Sequence, residues 1–293
     1  MIIGKRPKLI CLVMMFVCLG WWGQGRAYVP CPDHILTLML KKTGRDAGLA
    51  VRQQTGLQDG DCGGQVDEDR PLLVESIWYE PPGHFRAEVT GDEGQRIYVS
   101  TGQGALSIAG EKIVANRRNK LLAYHLPLAF EEYGDLTERL EQYGVDPTVS
   151  SLGRHQDAVA FVIGARYPDL SRSQLWVDKE TFLPRRFIIR TAADDSLLEA
   201  RYLDWRKAND LWYPWRIEIY RDGLLERVIC ALSVRRQSSF ADNFFDLTEL
   251  KAAYPEDVPE NDPASAPAQG KPEQPYPDND VQQTIDDFRK LYQ

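Results

Sequence analysis

The sequence predicts an α+β chain dominated by one curved antiparallel sheet, and three observations predict it. Between Gly48 and Ala115, and again over 148–236, short Val-, Ile-, Tyr- and Trp-rich runs alternate apolar and polar residues at period two. Gly, Pro and Asp turns separate these runs where βαβ units would need helical crossovers. Hydrophobic content of 43%, with 10% aromatics, is enough to build a core.

The first element stands apart from that sheet. Lys5, Arg6 and Lys8 precede an uninterrupted apolar run from Leu9 to Trp22, and Gly25 and Ala27 offer a signal peptidase small residues. That order reads as a secretory signal over residues 1–27, cleaved after Ala27, because about fourteen apolar residues are short for a bilayer span. The mature protein is therefore expected in the periplasm. Cleavage removes the positive charges of Lys5, Arg6, Lys8 and Arg26 and takes the formal net charge from −8 to −12. So acidic a chain is poorly matched to nucleic acid or to an anionic membrane surface.

Cys31, Cys62 and Cys230 remain after cleavage, and an odd number allows at most one intramolecular bridge. Cys31 precedes a helix and Cys62 lies in the Gly/Asp loop Gly60–Gly64, two places where a bridge causes little strain. A Cys31–Cys62 disulfide and no bridge at all are the two readings. Cys230 alternates with Val228, Leu232 and Val234 and reads as a small buried apolar residue. None of them has the spacing of a zinc site.

The mature chain opens on a helix, with Asp33 as N-cap, Ile35, Leu38, Met39 and Lys42 at helical spacing, and Gly44 past its end. Strands are expected around 48–57, 71–80, 84–90, 95–101 and 104–109. A second helix runs from Asp135 to Tyr143, with Asp135 and Glu138 as a capping box and Gly144 as its stop. The later meander turns at Asp178-Lys179-Glu180, Asp194-Asp195, Asn209-Asp210 and Asp222-Gly223, the last a strong hairpin signal. The domain is expected to close at Leu250. Residues 251–279, punctuated by seven prolines from Pro255 to Pro277, read as an acidic linker, and 280–293 as a short amphipathic helix striped with Val281, Ile285, Phe288 and Leu291.

No catalytic constellation emerges. The sequence has no Gly-x-Ser-x-Gly elbow and no phosphate loop. His34, His84, His125 and His155 stand alone, and the Asp178/Glu180 and Asp194/Asp195 pairs fall in turns that favour aspartate for backbone reasons. Neither an enzyme nor a cofactor is expected. What stands out is the aromatic content of the meander: Trp176, Trp205, Trp212, Trp215, Tyr202, Tyr213, Tyr220 and Phe187. These could be core. Two short helices, however, cannot cover one large sheet, and an under-filled concave sheet leaves an apolar cavity.

Three stretches resemble the LolA/LolB-like carriers of bacterial lipoproteins. Leu73–Val89 is similar to the family's second and third strands, joined at a proline turn. Ile97–Ile108 is similar to its next hairpin, and Gln174–Arg190 carries the pattern W-[ILV]-D-x-x-T-x-L-P. The resemblance spans roughly residues 30–250 and implies a half-open antiparallel barrel with helices over its concave face, holding acyl chains there. Those carriers have an arginine just before the turn proline that helps lock the lid. This chain has Pro81 there, and Arg86, beyond the turn, is the nearest substitute. The implied ligand cavity would be lined by Ile35, Leu38, Met39, Trp78, Trp176, Phe187, Trp205 and Trp215. The resemblance makes lipid or lipoprotein acyl chains the first expected partner, exchanged with membrane-bound donor and acceptor proteins in outer-membrane lipoprotein sorting. A regulatory or scaffold module that binds a protein on the same fold is the second reading.

Overall fold

A computed structural model describes residues 29–43, 48–57, 73–91, 94–190, 196–208 and 210–257. The signal segment, Cys62 and its loop, Asp194-Asp195, Asn209, and the linker and amphipathic helix beyond 257 lie outside the described residues.

Thirteen strands form one antiparallel sheet in the order β6-β5-β4-β3-β2-β1-β13-β12-β11-β10-β9-β8-β7. The first arm is a meander of β1 (Gly48–Leu57), β2 (Leu73–Glu80), β3 (His84–Gly91), β4 (Gly94–Ser100), β5 (Ala105–Ala109) and β6 (Lys112–Ala115). The second contains β7 (Ser150–His155), β8 (Ala158–Ile163), β9 (Gln174–Asp178), β10 (Pro184–Arg190), β11 (Leu197–Ala208), β12 (Leu211–Arg221) and β13 (Leu224–Gln237). Pairing of β1 with β13 joins the arms, while β6 and β7 remain the two edges. The result is a half-open barrel.

The hairpins follow their turn chemistry. Asp222 and Gly223, at φ 49° and 82°, make the tight turn between β12 and β13 that an Asp-Gly pair favours. Asp178 accepts the backbone amides of Glu180 and Thr181 at 3.0 and 2.8 Å and the Thr181 hydroxyl at 2.9 Å. The D-x-x-T part of the resemblance motif is thus a turn clasp. Burial pushes the Asp178 carboxyl up, but these amides, the Thr181 hydroxyl and the Arg185 guanidinium outweigh it and hold it below its ordinary value.

Helix α1 (Pro32–Thr43) starts on Pro32, which suits a first helical position because the amide that proline lacks would have no helical partner. Asp33 therefore lies in the first turn, not at the cap. Helix α2 (Tyr133–Gln142) begins two residues before Asp135, with Glu132 at its N-cap and no side-chain hydrogen bond there, so Asp135 and Glu138 are not a capping box. Gly144, at φ 78°, ends it as expected. The domain does not close at Leu250: α3 (Leu247–Ala253) continues past it, capped by Asp246, and Glu256 bridges to Ile113 on edge strand β6.

Two cysteine expectations need correction. Cys31 is exposed with a free thiol, so it forms no bridge to Cys62. Cys230, read as an ordinary apolar residue, is disulfide-bonded. It faces Gln54 across the β1–β13 ladder, while its neighbour Ile229 points into the core. Period-two alternation puts Cys230 on the outer face, which is why packing alone misread it.

Candidate functional site

The concave face is the place where the sequence expects a cavity, and residues 121–130 occupy it. Leu121-Leu122-Ala123-Tyr124-His125-Leu126-Pro127-Leu128-Ala129-Phe130 are all buried. Most of the run is a 3-10 helix, Lys120–Leu128, started by the Asn119 side chain accepting the Leu121 amide at 2.9 Å. It joins one core cluster with Ile77 and Phe85 of the first arm, Phe187 and Ile217 of the second, and Ile35, Leu36 and Leu136 of the helices.

Polar contacts pin this segment to both arms. Gln53 donates to the Tyr124 hydroxyl at 3.1 Å and to Glu75 at 2.8 Å, and Thr55 donates to the same Glu75 oxygen at 2.6 Å. The Tyr202 hydroxyl donates to the Tyr124 carbonyl at 2.7 Å. His125 stacks on Phe85 with centroids 3.7 Å apart and donates from Nδ1 to the Leu122 carbonyl. Burial, assisted by Arg139 and Arg118, drives its pKa down to about 3, so the ring stays neutral. At the far end the Gly83 amide donates to Ala129 at 3.1 Å, and a Cβ on Gly83 would lie 2.2 Å from the Phe130 ring. The Pro81-Pro82-Gly83 turn is shaped to receive this ring.

The expected lining residues are thereby divided. Ile35, Met39 and Phe187 are fully buried in the concave core, beneath or beside the segment. Leu38 is half-buried, because the inner stripe of α1 runs through Ile35, Leu36, Met39 and Leu40 instead. Trp205 and Trp215 pack partly buried against the same core. Trp78 and Trp176 do not belong to it. Trp78 lies in a separate outer cluster, edge-on to Phe244 at 5.3 Å. Trp176 is outward too, in a small cluster with Ala160, Val162 and Ala165. Arg86 is no lid lock on the concave side. It donates to the Phe244 carbonyl and to Glu88, each at 2.6 Å, and covers the Phe244 ring at 4.4 Å. Arg86 thus ties down residues 238–257, a strap that crosses the outer face of the first arm.

Sequence reasoning missed the 121–130 segment. Its signal was present as a run of ten residues with His125 as the one strongly polar member. A continuous apolar run has no period, so it declares neither helix nor strand nor the face it covers.

Recesses open to solvent around this closed core, and two of them are lined by described residues. One, of about 350 Å³, lies by the β9–β10 turn and the β11–β12 hairpin, walled by Tyr202, Leu203, Trp205, Trp212, Leu183 and Pro184. Trp205 Nε1 donates to the Pro184 carbonyl at 3.0 Å, which fixes its indole as a wall. The other, of about 640 Å³, is a groove between α2, the β2–β3 and β4–β5 turns and the strap. Glu80, Asp135, Glu138, Asp242 and Asp246 line it together with Arg139. Among the described residues no group of His, Cys, Asp and Glu could hold a metal ion, and no helix is long and apolar enough to cross a membrane.

The strand order read from this chain alone produces the half-open barrel implied by the sequence resemblance. No protein-family model and no curated protein matches the sequence. Among solved structures the chain is similar to the LolA superfamily protein NE2245 of Nitrosomonas europaea, at 13% identity over 75% of this chain and 100% of that one, with a TM-score of 0.48. It is also similar to a putative outer membrane lipoprotein-sorting protein domain from Vibrio parahaemolyticus, at 12% identity, 75% and 99% coverage and a TM-score of 0.37. The MucA/MucB complex of Pseudomonas aeruginosa matches at 10% identity, 71% and 99% coverage and a TM-score of 0.22. At such values these likenesses carry no functional assignment.

Proposed function

We propose that this chain is an exported, non-catalytic binding protein of the periplasm that engages a polypeptide partner while its own 121–130 segment keeps the concave face closed. The observation behind this reading is the complete burial of those ten residues where an acyl chain would need to lie. Expelling the segment would expose Leu121, Leu122, Leu126, Leu128 and Phe130, at roughly 8–15 kcal/mol in total. A chain of about fifteen methylenes gains ~12 kcal/mol by burial, so the exchange is near balance on apolar area alone. Losing the buried Gln53–Tyr124 and Tyr202–Tyr124 hydrogen bonds tips it towards the closed form.

The acyl-carrier reading keeps one observation of its own. The recess walled by Trp205, Trp212 and Tyr202 is mostly apolar and could take the end of a chain without moving the segment. Native mass spectrometry of protein recovered from the periplasm of a lipid-rich host separates the readings. The closed-core reading expects the bare protein mass. Stoichiometric acyl adducts that survive buffer exchange would overturn it in favour of the carrier.

A further inference from the structure

We propose that the 640 Å³ groove is the docking site for a basic, extended polypeptide segment, whose backbone carbonyl accepts a hydrogen bond from Arg139 while its cationic side chains face Asp135, Glu138 and Asp242. This rests on the partner-binding reading above and says where the partner binds and what its chemistry is.

Two independent features meet here. The first is an arginine held ready. Arg139 on α2 is buried, with a relative exposure of 8%. One of its amino groups donates to the Thr101 carbonyl at 3.0 Å, while Nη1 is buried without a partner among the described residues. Burial first, and then the neighbouring Arg118, work against its charge and outweigh the support of Tyr143, Glu138 and Tyr98, so an arginine with an unused donor at a groove wall is held at a cost. Arg118 cannot relieve it, being spent on Ser100, Thr101 and Gly104 of the same turn at 3.2–3.3 Å.

The second feature is charge. Asp246 is occupied in capping α3, and Glu80 pairs with His84 at 3.2 Å. Asp135, Glu138 and Asp242 make no side-chain hydrogen bond or ion pair among the described residues and line the groove from two sides. An anionic ligand would satisfy Arg139 but meet these three carboxylates. A cationic polypeptide satisfies both, since each residue brings a neutral carbonyl beside its side chain. Phe130, Phe240 and Phe245 add apolar floor between the charges.

The test is fluorescence anisotropy on the full mature chain, with labelled dodecapeptides of repeating Lys-Phe-Ala and Glu-Phe-Ala and with phosphatidylethanolamine vesicles. Saturable binding of the basic peptide alone is expected. Asp135→Asn with Glu138→Gln, both surface changes, should weaken it about fivefold to tenfold, and 0.5 M salt should do so in the wild type as well. Gly102→Leu places a side chain in open space at the groove wall and should abolish binding with the fold intact by circular dichroism. Arg139→Lys, which keeps the charge but loses the fork, should weaken binding without changing its salt dependence. Equal binding of both peptides, basic-peptide binding untouched by Gly102→Leu, or binding of vesicles in place of peptide would each overturn the site. Lack of peptide binding by a protein that is bare in native mass spectrometry defeats this groove alone. The same result with acyl adducts present defeats the partner-binding reading itself.

Discussion

The two arms of the sheet solve the same problem in opposite ways. Both turn apolar residues inward onto the 121–130 segment, but their outer faces differ. The first arm presents Trp78, Ile97, Val99, Leu106, Ile108 and Ile113 outward, and the strap covers them with Phe240, Phe244, Phe245, Leu247 and Leu250. The second presents a ladder of charges and aromatics. Arg186 and Arg201 both donate to the buried Glu199, Arg186 at 2.6 Å. Their guanidiniums lie over Trp176 and Tyr220 at 5.4 and 3.9 Å. Burial works against the Glu199 charge, yet the two guanidiniums outweigh it and hold its carboxyl below the usual range. One arm is kept dry by more chain, whereas the other is capped by its own side chains. An apolar outer face needs a cover, and a charged one needs opposite charge beside it.

Removing the cover should have the largest effect. Truncation after Gln237 exposes the outer face of the first arm, and five of its large side chains represent roughly 7–15 kcal/mol of burial, as much as a whole domain's stability. The truncated protein is expected to aggregate or to lose its cooperative thermal transition, whereas truncation after Asp257 should leave that transition in place. A soluble, cooperatively melting product ending at Gln237 would show that the strap is dispensable and the contrast between the arms superficial.

Unpairing the ladder comes next. Glu199→Ala leaves Arg186 and Arg201 facing one another without their shared carboxylate, and urea denaturation should show a loss of about 3–5 kcal/mol. If the loss is below 1 kcal/mol, the ladder is solvated and adds nothing to the second arm.

Acid should find two histidines, His125 on the segment that fills the concave face and His155 on the second arm. Unfolded histidine titrates near 6.5, whereas His125, by burial first, is lowered to about 3. Between those values the unfolded state holds the extra proton, so stability rises with pH, is complete above about 6.5 and falls on acidification. The slope is about 1.4 kcal/mol per pH unit, or about 3 kcal/mol between pH 6.5 and 4.5, before the carboxylates add their own contribution. His125→Gln should flatten the stability profile in that window. His155, on β7 beside the Trp176 ring, is lowered to about 4 by burial and then by the Arg186 and Arg201 charges. Raising the salt to 0.5 M should lift the His155 midpoint in an NMR titration more than that of His125, whose largest cause, burial, is not screened.

The smallest effect is expected where neither cover reaches. Leu224, 74% exposed at the β12–β13 turn, touches neither the strap nor the ladder, and Leu224→Ser should change stability by less than about 0.5 kcal/mol. A larger change in thermal unfolding would mean that this hairpin tip is covered in solution.

Local chemistry was legible in the sequence. Strands over 48–57, 84–91 and 105–109 follow from period-two alternation, the Asp222-Gly223 hairpin from its φ requirements, and the end of α2 from Gly144. Each depends on neighbours within a few residues, which a linear reading contains. The face of the sheet on which a tryptophan falls was not legible. Trp78, Trp176, Trp205 and Trp215 look alike in sequence, yet the first two point outward and the last two pack towards the core, because that choice depends on strand register across the whole sheet. By itself the sequence determined an antiparallel sheet of aromatic strands. Only the tertiary structure decided that the concave face would be filled by Leu121–Phe130 and the convex one strapped by Phe240–Leu250. Both segments are apolar runs or short turns without a period of their own, so only the surfaces they meet, far away in the chain, give them a place.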